Sequence, residues 1–310
     1  MPIDINEILN QTRGKNFDLF EKHINPVLAK VLRITGFNRS WIRGEGSYLW
    51  DESGTRYLDF LTNWGVFNVG RRHPTIRNAL QQVLDSDFPG WIGLDAPPLA
   101  GVLARELTKR TPGNLDIVYF CNSGTEAVEA AIKFARASTG RPCSVHLTKS
   151  FHGLTTGALS LSGEQSFRRG FEPLLPDNLE LAPDDLNGLE ARLAQGDVAS
   201  FVFEPIQGKN VNILTNEYLL SAQNLCRKYK TLMICDEVQS GIGRSGRFLA
   251  CQWIEGLQPD IICLSKALSG GYVPRGATIT RRAIFDSVYD SMDRATTVSY
   301  NHLQAHETKA

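Results

Sequence analysis

From about residue 98 onward, short apolar runs alternate with segments of helical spacing, and this alternation sets the fold class. A helix over 98–110 precedes the strand "DIVYFCN" (116–122), and a long helix over 125–139 precedes "CSVHLTK" (143–149). "SFVFEP" (200–205) leads through a helix at 217–229 to two further strands. These lie at the starts of "TLMICDEVQSGIGRSG" (231–246) and of "PDIICLSKALSGG" (259–271), and "GATIT" (276–280) adds another. The pattern predicts an α/β fold in which a mostly parallel sheet is covered by helices.

The first part of the chain reads differently. Residues 1–40 are helical and amphipathic around "FDLFEKHINPVLAKVL". "GSYLWDESGTRYLDFL" (46–61) is a hairpin signal about the turn Glu52-Ser53-Gly54. "HPTIRNALQQVLDS" (73–86) has helical spacing with Pro74 near its start. Lys plus Arg and Asp plus Glu both total 33, so no basic excess points to nucleic acid or an anionic membrane. No apolar run approaches the ~20 residues that span a bilayer. The polar N-terminus lacks the apolar core of a signal peptide. The six cysteines form no CxxC pair and read as buried, reduced thiols of a cytoplasmic protein. His302 and His306 are four apart but have no third ligand nearby, so no metal is expected.

Two strands carry the chemistry. One delivers Asp236, Glu237 and Gln239 to the carboxyl edge of the sheet, and the other delivers Lys266 to the same edge. Open α/β sheets hold their ligands there. A carboxylate and an amine so placed suit a cofactor with a basic ring nitrogen and an aldehyde, as in pyridoxal 5′-phosphate. The carboxylate keeps the ring nitrogen protonated, and the desolvated amine can act as a Schiff-base nucleophile and proton shuttle. A buried structural Asp would instead need its own partner.

Other positions carry two readings each. In "NSGTEAVEAAIKFAR" (122–136), Ser123 and Glu126 form a capping box at a helix start that can bind phosphate, with Gly124 admitting it closely. The same residues also describe a plain N-cap. Phe151 could stack on a flat ring and His152 orient a neighbour; singly they are a core aromatic and a turn histidine. Glu204, held by Pro205, is either a site group or the cap of a nearby helix. "GIGRSG" (241–246) fits GxGxxG, but "DEVQS" separates it from its strand, and Glu255 and Asp260 fall short of the acidic spacing of a dinucleotide site.

Taken in order and spacing, "NSGTEAVEAAIKFAR", "SFHG", "FEPIQG", "ICDEVQSGIGRSG" and "LSKALSGG" resemble the class III aminotransferases that use pyridoxal phosphate, the ornithine, acetylornithine, 4-aminobutyrate and putrescine group. The resemblance runs from about residue 45 to 301 and implies the fold-type I architecture. It implies an N-terminal segment of a smaller domain over 1–75, a cofactor domain over 76–301 and the start of a further region at 302–310. It makes Gly124 and Thr125 phosphate binders, Phe151 the stacking aromatic, Asp236 the ring-nitrogen partner, Gln239 the phenolate contact and Lys266 the Schiff-base lysine. Ser123, His152, Glu204 and Val238 fall beside the cofactor. Thr297, in "TTVSYN" (296–301), would reach the phosphate bound by the other subunit of a homodimer.

The implied reaction moves an amino group from an amine, diamine or ω-amino acid donor to an oxo acid. An aminomutase, a decarboxylating relative, or a truncated protein that binds the cofactor without turnover are the alternatives. Three features depart from the family pattern. "TVSYN" lacks the usual glycines. Leu154 stands where acetylornithine-type members have Arg. Family members continue past the point where this chain stops.

Overall fold

The computed structural model describes residues 3–90, 96–291 and 294. The chain forms two compact units, Met1–Thr62 with Val69–Leu84, and Asn63–Asn68 with Asp85–Ala310. Thr297, His302 and His306 lie outside the described residues.

In the first unit the expected amphipathic helix is three helices, Ile5–Gln11, Asn16–His23 and Pro26–Ile34. Gly14, at φ +72°, turns the chain after the first of them. The side chain of Asn25 caps the third by accepting from Leu28 N at 2.9 Å, with Pro26 in the first turn. The expected hairpin is present as β2 (Tyr48–Asp51) and β3 (Arg56–Leu58), in register Tyr48↔Leu58. Asp51 builds its turn by accepting from Ser53 N at 3.0 Å and Thr55 N at 3.1 Å. A further strand, β1 (Trp41–Glu45), pairs with β2. Its residues are mostly exposed, so no apolar alternation announces it.

The second unit is built on a seven-stranded sheet in the order β4-β10-β9-β8-β7-β5-β6. These strands are β4 (Ile117–Cys121), β5 (Cys143–Leu147), β6 (Leu179–Leu181), β7 (Val198–Phe203), β8 (Leu232–Asp236), β9 (Ile261–Leu264) and β10 (Gly276–Thr280). β6, β5, β7, β8 and β9 pair in parallel, and β10 lies antiparallel between β9 and β4. The link from β9 to β10 is too short for a helical crossover, which dictates the reversal. β4 therefore points the same way as the parallel block.

Both faces of this sheet are covered, which explains the continuous apolar runs. Met233, Cys235, Ile262 and Leu264 enter one buried cluster, while Ile234, Ile261 and Cys263 enter the other. The helix Gly124–Thr139 lies on the second face, with Ala127, Ala130, Ala131 and Phe134 buried. Its small residues admit close approach, and the carbonyl of Ala127 accepts from Thr278 Oγ1 at 2.7 Å. β6 and the helix Leu186–Leu193 have no counterpart in the sequence reading; each is short. No helix among the described residues is long and apolar enough to cross a membrane. All six cysteines are free and buried.

Arg141 ties the helix Asn216–Tyr229 to the sheet. Its Nη1 donates to the carbonyls of Val198 (3.1 Å), Tyr229 (2.9 Å) and Lys230 (3.1 Å). Replacing Arg141 by Met should lower unfolding stability by about 1–2 kcal/mol, because helix-end carbonyls lose their donor. Urea titration checks this; a midpoint unchanged from wild type would show that the clamp adds nothing.

Candidate active site

Because β4 runs with the parallel block, the carboxyl ends of β4, β5, β7, β8 and β9 share one edge of the sheet. The loops leaving these ends line a cavity of about 700 Å³. Of the predicted residues, Gly124, Thr125, Phe151, His152, Glu204, Asp236, Val238, Gln239 and Lys266 all line it. Ser123 sits just outside the lining as the N-cap of the helix Gly124–Thr139, its Oγ accepting from Glu126 N at 3.3 Å. Glu126 completes the cap by accepting from Asn122 N at 2.8 Å and from Ser123 Oγ at 2.9 Å.

Asp236 ends β8 and is buried. Its Oδ1 accepts from Val238 N at 3.0 Å, and its Oδ2 lies 2.7 Å from His152 Nδ1. A carboxylate can only accept, so Nδ1 carries the proton. Burial opposes charge on His152, but the hydrogen bond and charge of Asp236, with Glu204 behind them, raise its pKa above the ordinary 6.5. The other ring nitrogen, Nε2, is buried without a hydrogen-bond partner among the described residues.

Glu204 follows β7. It accepts from Phe151 N at 3.0 Å through Oε2 and from Gly208 N at 2.9 Å through Oε1. Both oxygens are thus spent on holding two loops. Burial raises its pKa, against the pull of His152. Lys266, expected to close β9, lies two residues past its end at Leu264 and opens a short turn with φ +42°. A left-handed backbone at a lysine is uncommon and is typical of functional sites. Burial lowers its pKa; Asp236 and Glu204 oppose this, and Arg244 adds to it. Its Nζ donates to Gln239 Oε1.

Family models match the chain as "Aminotransferase class-III" over residues 35–306. This chain belongs to the class-III aminotransferase family. It is 39% identical over 284 residues to aminotransferase PigE of a Serratia species, covering 91% of this chain and 33% of that protein. It thus spans about a third of that relative's length. The ornithine aminotransferase of Toxoplasma gondii superposes with a TM-score of 0.73 at 32% identity, covering 80% of this chain and 60% of that one. The taurine:2-oxoglutarate aminotransferase of Bifidobacterium kashiwanohense, in complex with PLP and glutamate, gives a TM-score of 0.76 at 29% identity, covering 82% and 62%. The fold is that of the fold-type I transferases.

The cavity fits pyridoxal 5′-phosphate. The amides of Gly124 and Thr125 open a helix and have no intrahelical acceptor, so this helix start suits an anion, with the helix dipole behind it. A Cβ at Gly124 would fall 2.8 Å from Val238 Cγ1, so only glycine fits against that wall. The same crowding holds at Gly208, where a Cβ would lie 2.8 Å from Gln239 Cγ. Asp236 would offer a carboxylate to a ring nitrogen, and Lys266 an amine to an aldehyde. Phe151 lines the cavity, its ring edge-on to Phe167 at 5.4 Å.

Several lining residues were not singled out by sequence reasoning. Gly208 and Lys209 arrive from a polar loop and Phe167 from the single-turn helix Gln165–Arg168, segments too short to give a periodic signal. Asn63 and Trp64 also line the cavity, both in left-handed backbone conformation at φ 53°. The segment Gly241–Gly246 forms turns with no α-helix after it, so it lacks the helix start that a dinucleotide site requires. Cys235, Glu237 and Cys251 bring three possible ligand atoms within 4.8 Å of one another. The Glu237 carboxylate is already taken by Ser240 Oγ (2.7 Å), Ala250 N (3.0 Å) and Cys251 N (2.7 Å), and burial pushes the Cys235 thiol well above its ordinary range. The trio braces the end of β8.

His152 should titrate above 6.5 in the folded protein, observed through its ring protons by NMR. Its stabilising contribution is complete below that ordinary value and fades as pH rises through the raised one. Asp236→Asn removes the charge that raises it, so the titration should move down; an unmoved titration would contradict the pairing.

Proposed function

We propose that this chain is the cofactor-binding part of an aminotransferase that uses pyridoxal 5′-phosphate to move an amino group from an amine, diamine or ω-amino acid to an oxo acid. One observation carries the reading. Asp236 and Lys266 face a single cavity from neighbouring parallel strands, beside a capped helix start suited to phosphate. When bound, the cofactor supplies an electron sink for the carbanion formed at the substrate carbon.

The chain's own residues do the rest. Asp236 holds the proton on the ring nitrogen, and the His152 hydrogen bond fixes the carboxylate's orientation. The lowered pKa of Lys266 increases its neutral fraction near neutrality, so Nζ can take a proton from the substrate carbon and return it. Gln239, whose Oε1 accepts from Lys266 Nζ, would contact the cofactor's phenolic oxygen. Gly124 and Thr125 would hold the phosphate, Ser123 fixes that turn, and Phe151 and Val238 would line the ring. Glu204 keeps the Phe151 and Gly208 loops in register. We assign residues 1–75 to a smaller domain and 76–301 to the cofactor domain. The working unit in this reading is a cytoplasmic homodimer in which Thr297 reaches the neighbouring phosphate.

Protein saturated with pyridoxal phosphate should absorb in the visible. Borohydride should then leave a phosphopyridoxyl group on Lys266. Label on a different lysine, or none, would refute the assignment. Asp236→Asn should slow the half-reaction with an amino donor by about 10–100-fold, the loss of a charge-assisted bond worth about 1.5–3 kcal/mol. Cofactor retention through the phosphate and Lys266 should persist, and single-turnover kinetics separate the two effects. Near-normal turnover would remove Asp236 from the chemistry.

A further inference from the structure

The mouth of the cavity carries a cation that the chemistry above does not use. Among the described lining residues the lysines are Lys266, committed to the reacting carbon, and Lys209. Lys209 stands on a tight loop. Gly208 N is held by Glu204, Gln207 N donates to Asn212 O at 2.8 Å, and Val211 N donates to Gln207 O at 2.8 Å. The backbone beneath the side chain is therefore fixed. Its Nζ lies 4.7 Å above the Phe167 ring and bonds Glu164 Oε2 at 2.5 Å. Glu164 comes from a separate loop and does not line the cavity. The pair is about one-third exposed, at 38% and 35%, and such pairs contribute little stability. An arriving anion can exchange with Glu164 at small cost.

The rest of the cavity restricts where a substrate charge can go. Its inner end holds Asp236 and Glu204, both acidic and already hydrogen-bonded, which repel a second carboxylate. Leu154, Phe167 and Trp64 are apolar walls that suit an aliphatic stem. We propose that Lys209 receives the carboxylate of an amino or oxo acid substrate, and that Glu164 holds the lysine in place until that carboxylate arrives. The inference rests on the aminotransferase reading and narrows it. Acids are favoured, and a terminal ammonium meets a like charge.

The test uses cofactor-loaded protein and butyrate, a carboxylate that cannot react. Lys209→Met should weaken butyrate binding by about tenfold or more in calorimetry, as the loss of a charge-assisted bond predicts. Lys209→Arg should retain it. Glu164→Gln should tighten it by about two- to fivefold, because a competing ion pair is removed. In half-reactions, Lys209→Met should raise KM for 4-aminobutyrate and leave that for butylamine unchanged. Butyrate binding unchanged in Lys209→Met overturns the proposal. So does equal weakening in Lys209→Met and Glu164→Gln, which would mark the pair as a tie between loops. Borohydride labelling of Lys266 on the same samples keeps the two readings apart. Absent label with Lys209-dependent butyrate binding leaves the carboxylate site standing and removes the aminotransferase reading.

Discussion

A carboxylate buried at the end of β8 sets the terms for everything around it. An ionised Asp taken out of water is costly unless opposite charge and hydrogen bonds replace the lost solvent. Asp236 obtains both, from His152 Nδ1 at 2.7 Å and Val238 N at 3.0 Å. The loop after β5 is thereby bound to the end of β8. Glu204, two strands' spacing from β9, adds a second bridge by gripping Phe151 N and Gly208 N. The buried end of a largely apolar cavity thus carries a set of compensated charges.

Those bridges work only because the sheet beneath them is rigid. Strands apolar on both faces leave little freedom for register to slip. The antiparallel β10 keeps β4 pointing with the parallel strands and so brings the capped helix start of Gly124 to the edge that holds Asp236 and Lys266. Glycine at 124 and 208 then lets backbone and side chain approach to the limit of contact. Positive charge at the helix start, negative charge at Asp236 and an amine at Lys266 end up on different walls of one cavity.

Much of this could be read from the residues. The strands β4, β5, β7, β8, β9 and β10 and the helix Gly124–Thr139 follow apolar runs and a capping box, signals that are local in sequence. The element breaks in the first unit were less visible, because Gly14 and Asn25 interrupt an amphipathic pattern that is otherwise continuous. β1 and β6 are short and largely exposed, so no period marks them. Lys209, Phe167 and Trp64 gave no signal at all, since they stand on short segments whose place at the cavity depends on the tertiary fold.

The sequence by itself determined six of the seven strands of that sheet, the helix cap and the identity of the charged groups near the ends of β7, β8 and β9. It could do so because periodicity, capping and turn chemistry act over a few residues. It also determined the family, through short motifs whose order survives where overall identity is low. Only the tertiary structure decided that His152 pairs with Asp236, that Glu204 spends both oxygens on backbone amides, and that Lys209 stands at the mouth opposed by Glu164. The His152–Asp236, Glu204–Phe151 and Lys209–Glu164 contacts each join residues far apart in the chain. The first two are settled by burial, which makes an unpaired charge costly and so selects the partner that packing brings within reach, whereas the part-exposed Lys209–Glu164 pair is set by the paths of its two segments.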